Sequence, residues 1–126
     1  ERVLRSYDTT NYKMEGIMKV EKPWGHEIRW AVNDKYLGKI LHINAGHKLS
    51  LQYHEQKDET IYVLKGTVIV RNENKIIKVL EEGESFRIQP MTVHRFCAPT
   101  DFDVELIEVS TPEIDDVVRL EDDYGR

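Results

Sequence analysis

The sequence has little of what would mark a disulfide-built, membrane-spanning or nucleic-acid-binding chain. Its 126 residues include one cysteine, Cys97, which excludes an internal disulfide framework and suits a reducing compartment. Set between Phe96 and Ala98, it reads as part of a core. The longest apolar runs, such as 61–64, are far too short to cross a bilayer, and no signal-peptide order of charged, apolar and small residues is present. A cytoplasmic protein with no membrane partner is expected. Positive charge is also scarce: 18 Lys and Arg stand against 23 Asp and Glu, for a net charge of −5. That balance argues against a nucleic-acid partner, because phosphate backbones call for a surplus of cations on one face. It leaves room for a small phosphorylated molecule, which two or three local cations can hold. Internal repeats and low-complexity segments are absent, and no helical stripe of any length appears before the tail.

What fills the chain instead is short apolar and polar alternation. Segments at 17–20, 26–32, 36–43, 60–64, 67–71, 75–80, 86–88, 93–98 and 104–109 alternate with turn residues, and with the stretch through Leu51 they predict about ten strands of a sandwich or barrel. With 40% apolar residues the length suits one modest core. The expected organisation is a single all-β domain over 17–126, preceded by a polar N-terminal arm over 1–16. An acidic C-terminal tail closes it, and a short helix could begin there at Thr111 or Pro112.

The stretch 46–66, GHKLSLQYHEQKDETIYVLKG, organises the rest. On a regular strand Lys48, Ser50, Gln52 and His54 share one face, so two metal-ligand types, Gln52 and His54, sit side by side. The polar run 55–58 reads as a turn, and Glu59 then opens an apolar strand that is expected to fold back on the first and bring its carboxylate to His54. Much later in the chain, His94 sits in another strand, turn and strand pattern and supplies a fourth ligand. Imidazole nitrogen, carboxylate and amide oxygen suit a divalent ion: zinc first, with manganese, iron and nickel as alternatives.

The spacing Gly46, five residues, Gln52, one, His54, four, Glu59, six, Gly66 resembles the first motif of the cupin superfamily, and Gly83 through His94 resembles the second. The resemblance implies a jelly-roll β-barrel, a double-stranded β-helix, with its metal inside. More narrowly, LSLQYH at 49–54, the pair His94 and Arg95, KPWG at 22–25 and DDVVRLEDDYGR at 115–126 resemble type II phosphomannose isomerase domains. These interconvert mannose 6-phosphate and fructose 6-phosphate, often joined to a guanylyltransferase; no nucleotidyltransferase sequence lies in these 126 residues. The Gln, His, Glu, His set also resembles the zinc site of type I phosphomannose isomerases, where Ser50 and Lys57 have counterparts. Two departures from the type II pattern stand out. Lys57, Asp58, Glu59, Thr60, Ile61 replaces arginine, any residue, glutamate, histidine and tryptophan, and Gln89, Pro90, Met91, Thr92 replaces a turn of proline and glycine.

Such an isomerase needs a Lewis acid, a base and a phosphate contact. Lys48 is the first candidate base, with a pKa that desolvation beside a cation would lower, and His47 and His26 follow at expected strand ends near a barrel mouth. Lys57 and Arg95 lead as phosphate cations, with Ser50 donating a hydrogen bond. Arg95 needs a bulge or a rim position to reach the site, since it alternates with His94; otherwise it pairs with an acidic neighbour. The resemblance at 119–126 suggests that Arg119 or Arg126 docks the tail on the barrel. The expected function is aldose–ketose isomerisation of a sugar phosphate through a metal-stabilised enediolate. A non-catalytic cupin binding a sugar phosphate or nucleotide sugar is one alternative, and an iron dioxygenase is another that Gln52 disfavours. The resemblance and exposed sheet edges imply a homodimer.

Overall fold

A computed structural model describes residues 17–125; the expected N-terminal arm at 1–16 and Arg126 lie outside the described residues. The strands are β1 (Met18–Lys22), β2 (Gly25–Val32), β3 (Leu37–Ile43), β4 (Leu51–Tyr53), β5 (Glu59–Lys65), β6 (Val68–Arg71), β7 (Ile76–Leu80), β8 (Ser85–Ile88), β9 (Arg95–Cys97), β10 (Val104–Ser110) and β11 (Val118–Glu121). All pairings are antiparallel. One sheet runs β1-β2-β3-β10-β5-β8. Facing it, β7-β6-β9 and β4-β11 are joined through bridges between Lys48 and Cys97 and between Gln52 and His94. The two layers close the jelly-roll barrel expected from the sequence, with no helix among the described residues.

Three interior strand faces change from apolar to polar towards one end of the barrel. On β10, Val104 and Leu106 give way to Glu108; on β5, Val63 and Ile61 give way to Glu59; on β3, Ile43 and Leu41 give way to Lys39; all are buried. Antiparallel register places Glu108 opposite both Lys39 and Ile61, and Glu59 opposite Ser110. The apolar end, completed by Val68, Val70, Leu80, Phe96 and Trp24, makes the core. The polar end is the site.

Two expectations about chain path are corrected. The stretch from 46 to 66 is not a hairpin: β4 joins one sheet and β5 the other, so the turn after His54 crosses the barrel and His54 meets Glu59 across the interior. The tail is not helical. Val118 and Leu120 alternate with Arg119 and Glu121, and β11 pairs with β4, supplying backbone partners to what would otherwise be a bare strand edge.

Candidate metal centre

His54, Glu59 and His94 converge with ligand atoms all within 4.8 Å of one another. Nε2 of His54 lies 3.7 Å from one Glu59 oxygen and Nε2 of His94 lies 3.3 Å from the other. All three side chains are buried, yet these two nitrogens and both carboxylate oxygens have no hydrogen-bond partner. Buried polar atoms are costly when unpaired, and four of them facing one point are what a cation would satisfy. The residues therefore fit a metal of the His and carboxylate type. Each imidazole is oriented from its other nitrogen: His94 Nδ1 contacts the Thr92 carbonyl at 2.8 Å and His54 Nδ1 the Asp116 carbonyl at 2.5 Å. As donors to carbonyls, both Nδ1 atoms carry the proton, which leaves the Nε2 lone pairs aimed at the cluster.

Gln52 stands beside them. It exchanges both backbone hydrogen bonds with His94, at 2.9 and 2.8 Å, so the two side chains share the interior face. Its Oε1 accepts the Ser50 hydroxyl at 2.8 Å, which fixes the amide.

Lys57 turns inward, buried, with Nζ 3.2 Å from Glu59 and 3.0 Å from Glu108. Burial works against its charge, but Glu108 and Glu59 outweigh it and raise the ammonium above its ordinary value. Burial also resists ionisation of Glu59, but the imidazoles of His54 and His94, when protonated at Nε2, and the ammonium of Lys57 hold its carboxyl well below the usual range. Glu108 goes the other way, pushed up by burial and by the negative charge of Glu59. The cavity beside the cluster, about 400 Å³, is lined by Gln52, His54, Lys57 and Glu108, and also by Glu27, Arg29, Lys39 and Arg119. Glu27, Arg29, Lys39 and Glu108 are inward positions that carry no site role in the sequence reading, where Arg119 has only the role of docking the tail. Their only signal there was charge at alternate positions of an otherwise apolar strand.

Four expected site residues lie elsewhere. Lys48 pairs with Asp123 at 3.3 Å and does not line the cavity. The reason is register: from Lys48 to Gln52 is four residues, but their bridge partners Cys97 and His94 are three apart, so one extra residue bulges between them. Lys48 thus shares the outward face of Cys97 while Gln52 shares the inward face of His94. Arg95 alternates with His94 without a bulge and points outward; its Nε donates to the Leu49 carbonyl at 2.8 Å, and it pairs with Glu121 at 3.1 Å. Arg95 rather than Arg119 therefore ties down the tail. His47 is exposed against Tyr124, and His26 stacks on His42 on the outer sheet face.

A jelly-roll barrel with a buried His, Glu, His cluster beside a charged cavity defines the chain as a cupin. A family model described as mannose-6-phosphate isomerase C-terminal matches residues 9–122, and the chain belongs to that family. It is 34% identical over 111 residues to the alginate biosynthesis protein AlgA of Pseudomonas aeruginosa, covering 86% of this chain and 23% of that protein. It is 37% identical over 111 residues to the mannose-1-phosphate guanylyltransferase ManC of Salmonella typhimurium, again covering 86% of this chain and 23% of the relative. The chain thus spans about a quarter of the length of these relatives. Its fold is like that of a cupin-2 domain from Rhodospirillum rubrum, with a TM-score of 0.71 at 15% identity over 94% of this chain and 84% of the other. These comparisons lend no support to the dioxygenase alternative. No helix among the described residues is long and apolar enough to cross a membrane.

Proposed function

We propose that this chain is a metal-dependent sugar-phosphate isomerase domain that interconverts mannose 6-phosphate and fructose 6-phosphate. The observation that carries the reading is the set of buried ligand atoms on His54, Glu59 and His94 that lack a hydrogen-bond partner beside a cavity of about 400 Å³, in a chain of this family. That volume is within the range of small-molecule sites. Gln52, His54, Glu59 and His94 would hold the ion, zinc first, with manganese, iron and nickel as alternatives. When bound, the ion supplies Lewis acidity toward the carbonyl and hydroxyl oxygens at C1 and C2 of an open-chain sugar.

The chain's own residues supply the rest. Lys48 faces solvent, so the proton-transfer role falls to Glu108, which is buried in the cavity wall with a raised pKa. A carboxyl tuned upward can take a proton from C2 and return it to C1. Lys57 positions it and keeps the charge of Glu59 from expelling a second carboxylate.

Proton NMR of the metal-loaded protein with mannose 6-phosphate in deuterated water tests the reading. It requires deuterium at C2 or formation of fructose 6-phosphate, with both lost in Glu108→Gln. Metal binding with neither outcome in the wild type would favour a binding domain for a sugar phosphate or nucleotide sugar. The reading also carries a homodimer. Trp30, Tyr62, Leu64 and Val109, each more than two-fifths exposed, line the outer face of the six-stranded sheet that a second copy would cover. A monomeric mass in solution would remove that element.

A further inference from the structure

The charged groups that line the cavity differ in how far they are paired: Lys39 faces Glu108 across the β3 and β10 register, and Asp115 and Asp116 also line the wall. At the cluster end, two carboxylates, Glu59 and Glu108, share one ammonium, Lys57. On the β2 and β3 side the balance reverses. Glu27 is buried with Arg29 Nε at 2.7 Å and Lys39 Nζ at 3.4 Å. Burial resists its ionisation, yet Lys39, Arg29 and, more distantly, Lys22 hold its carboxyl below the usual range. Arg29 and Lys39 are two close cations against the single carboxylate of Glu27. Arg119 adds another cation from the other sheet: opposite Gln52 in register, it lines the same cavity and makes no side-chain ion pair among the described residues. Arg29 commits only Nε to Glu27, and a guanidinium keeps further donors on its terminal nitrogens.

An end that is short of positive charge accepts a cation, and an end with a surplus accepts an anion. We propose that Arg29 and Arg119, supported by Lys39, form a subsite for a phosphate dianion, with Glu27 as the fixed carboxylate that holds Arg29 and Lys39 in place. This replaces Lys57 and Arg95, which are neutralised by Glu59 and Glu108 and by Glu121 respectively. Guanidinium groups suit the task because their planar fork matches phosphate oxygens. The inference rests on the sugar-phosphate reading only for what carries the phosphate; the anion preference follows from the charges.

The test is a phosphorus-31 NMR titration of the full chain with inorganic phosphate, and with mannose 6-phosphate against mannose, for the wild type, Arg29→Gln and Arg119→Gln. Wild type should bind both phosphates and not mannose. Each variant should weaken phosphate binding about tenfold or more, with thermal stability little changed in Arg119→Gln because that side chain is exposed. Wild-type affinity in both arginine variants, or no phosphate binding at all, would overturn the subsite. Turnover with an unchanged KM in both variants would also overturn it and leave the isomerase reading standing. Phosphate binding that depends on the arginines without turnover would uphold the subsite and remove the isomerase reading.

Discussion

His54 and Asp116 lie 62 residues apart, yet the imidazole Nδ1 and the Asp116 carbonyl are 2.5 Å from one another. The Asp116 side chain accepts hydrogen bonds from the backbone of Glu55, Gln56 and Lys57 at 3.0, 2.7 and 2.9 Å. One residue of the C-terminal segment therefore orients a candidate ligand and clamps the turn that carries the chain across the barrel. Its carboxyl is held low by those three amides against the effect of burial.

Asp116→Ala should weaken metal binding by about 10- to 100-fold, the usual range for a partner that orients a ligand. Competition with a chromophoric chelator measures this. An unchanged affinity would mean that the turn holds His54 without the clamp.

How much of this was legible in the sequence differs from residue to residue. His54, Glu59 and His94 could be read because few residue types bind metal and their spacing has few other uses. The strand positions could be read because period-2 alternation survives in β2, β3 and β10. Lys48 was misplaced because a single extra residue between Lys48 and Gln52 inverts the facing of everything before it, and a bulge leaves no compositional mark in LSLQ. Glu108, Glu27 and Lys39 were passed over because a charged residue in an alternating strand ordinarily faces solvent. Here the polar end of the barrel turns that rule around. The strand in the tail is hidden because its partner β4 is remote in sequence, while Thr111 and Pro112 offer only the start of a short helix.

Met91 adopts φ 70°, a left-handed conformation that favours glycine, at the turn where related domains have proline and glycine. The side chain is exposed, and its backbone N–H donates to the His54 carbonyl at 2.6 Å. Met91→Gly should relieve the strain and raise stability by about 0.5–1 kcal/mol, after the larger chain entropy of glycine is subtracted. Thermal unfolding measures it, and a lower Tm would contradict the reading.

Lys57 stands between two buried carboxylates. Replacing it with methionine leaves both without their shared cation, and the metal-free protein should lose about 3–5 kcal/mol. Added metal should restore part of that loss by neutralising Glu59. Urea unfolding with and without zinc distinguishes this from a lysine that only fills space, for which the loss would be the same in both.

His42 contacts Glu105 through Nδ1 at 3.0 Å and Asp103 through Nε2 at 2.9 Å. The Glu105 hydrogen bond first, and then Asp103, raise its pKa despite some burial. A raised folded value means that the stabilisation is fully present below the unfolded imidazole value of about 6.5 and fades as pH rises through the folded value. Wild type should therefore exceed His42→Gln in Tm at about pH 5.5 and converge with it by about pH 9. A gap that does not change with pH would show that the ring acts through packing alone.

Metal content is the most direct test of the central claim. Wild type, His54→Ala and Glu59→Gln would be loaded with zinc, dialysed and analysed for metal per chain, with circular dichroism to verify folding. The account requires about one ion per wild-type chain, a rise in wild-type Tm on loading and loss of both in each folded variant. A wild-type chain that holds no divalent ion, or variants that bind it as well as wild type does, would contradict it.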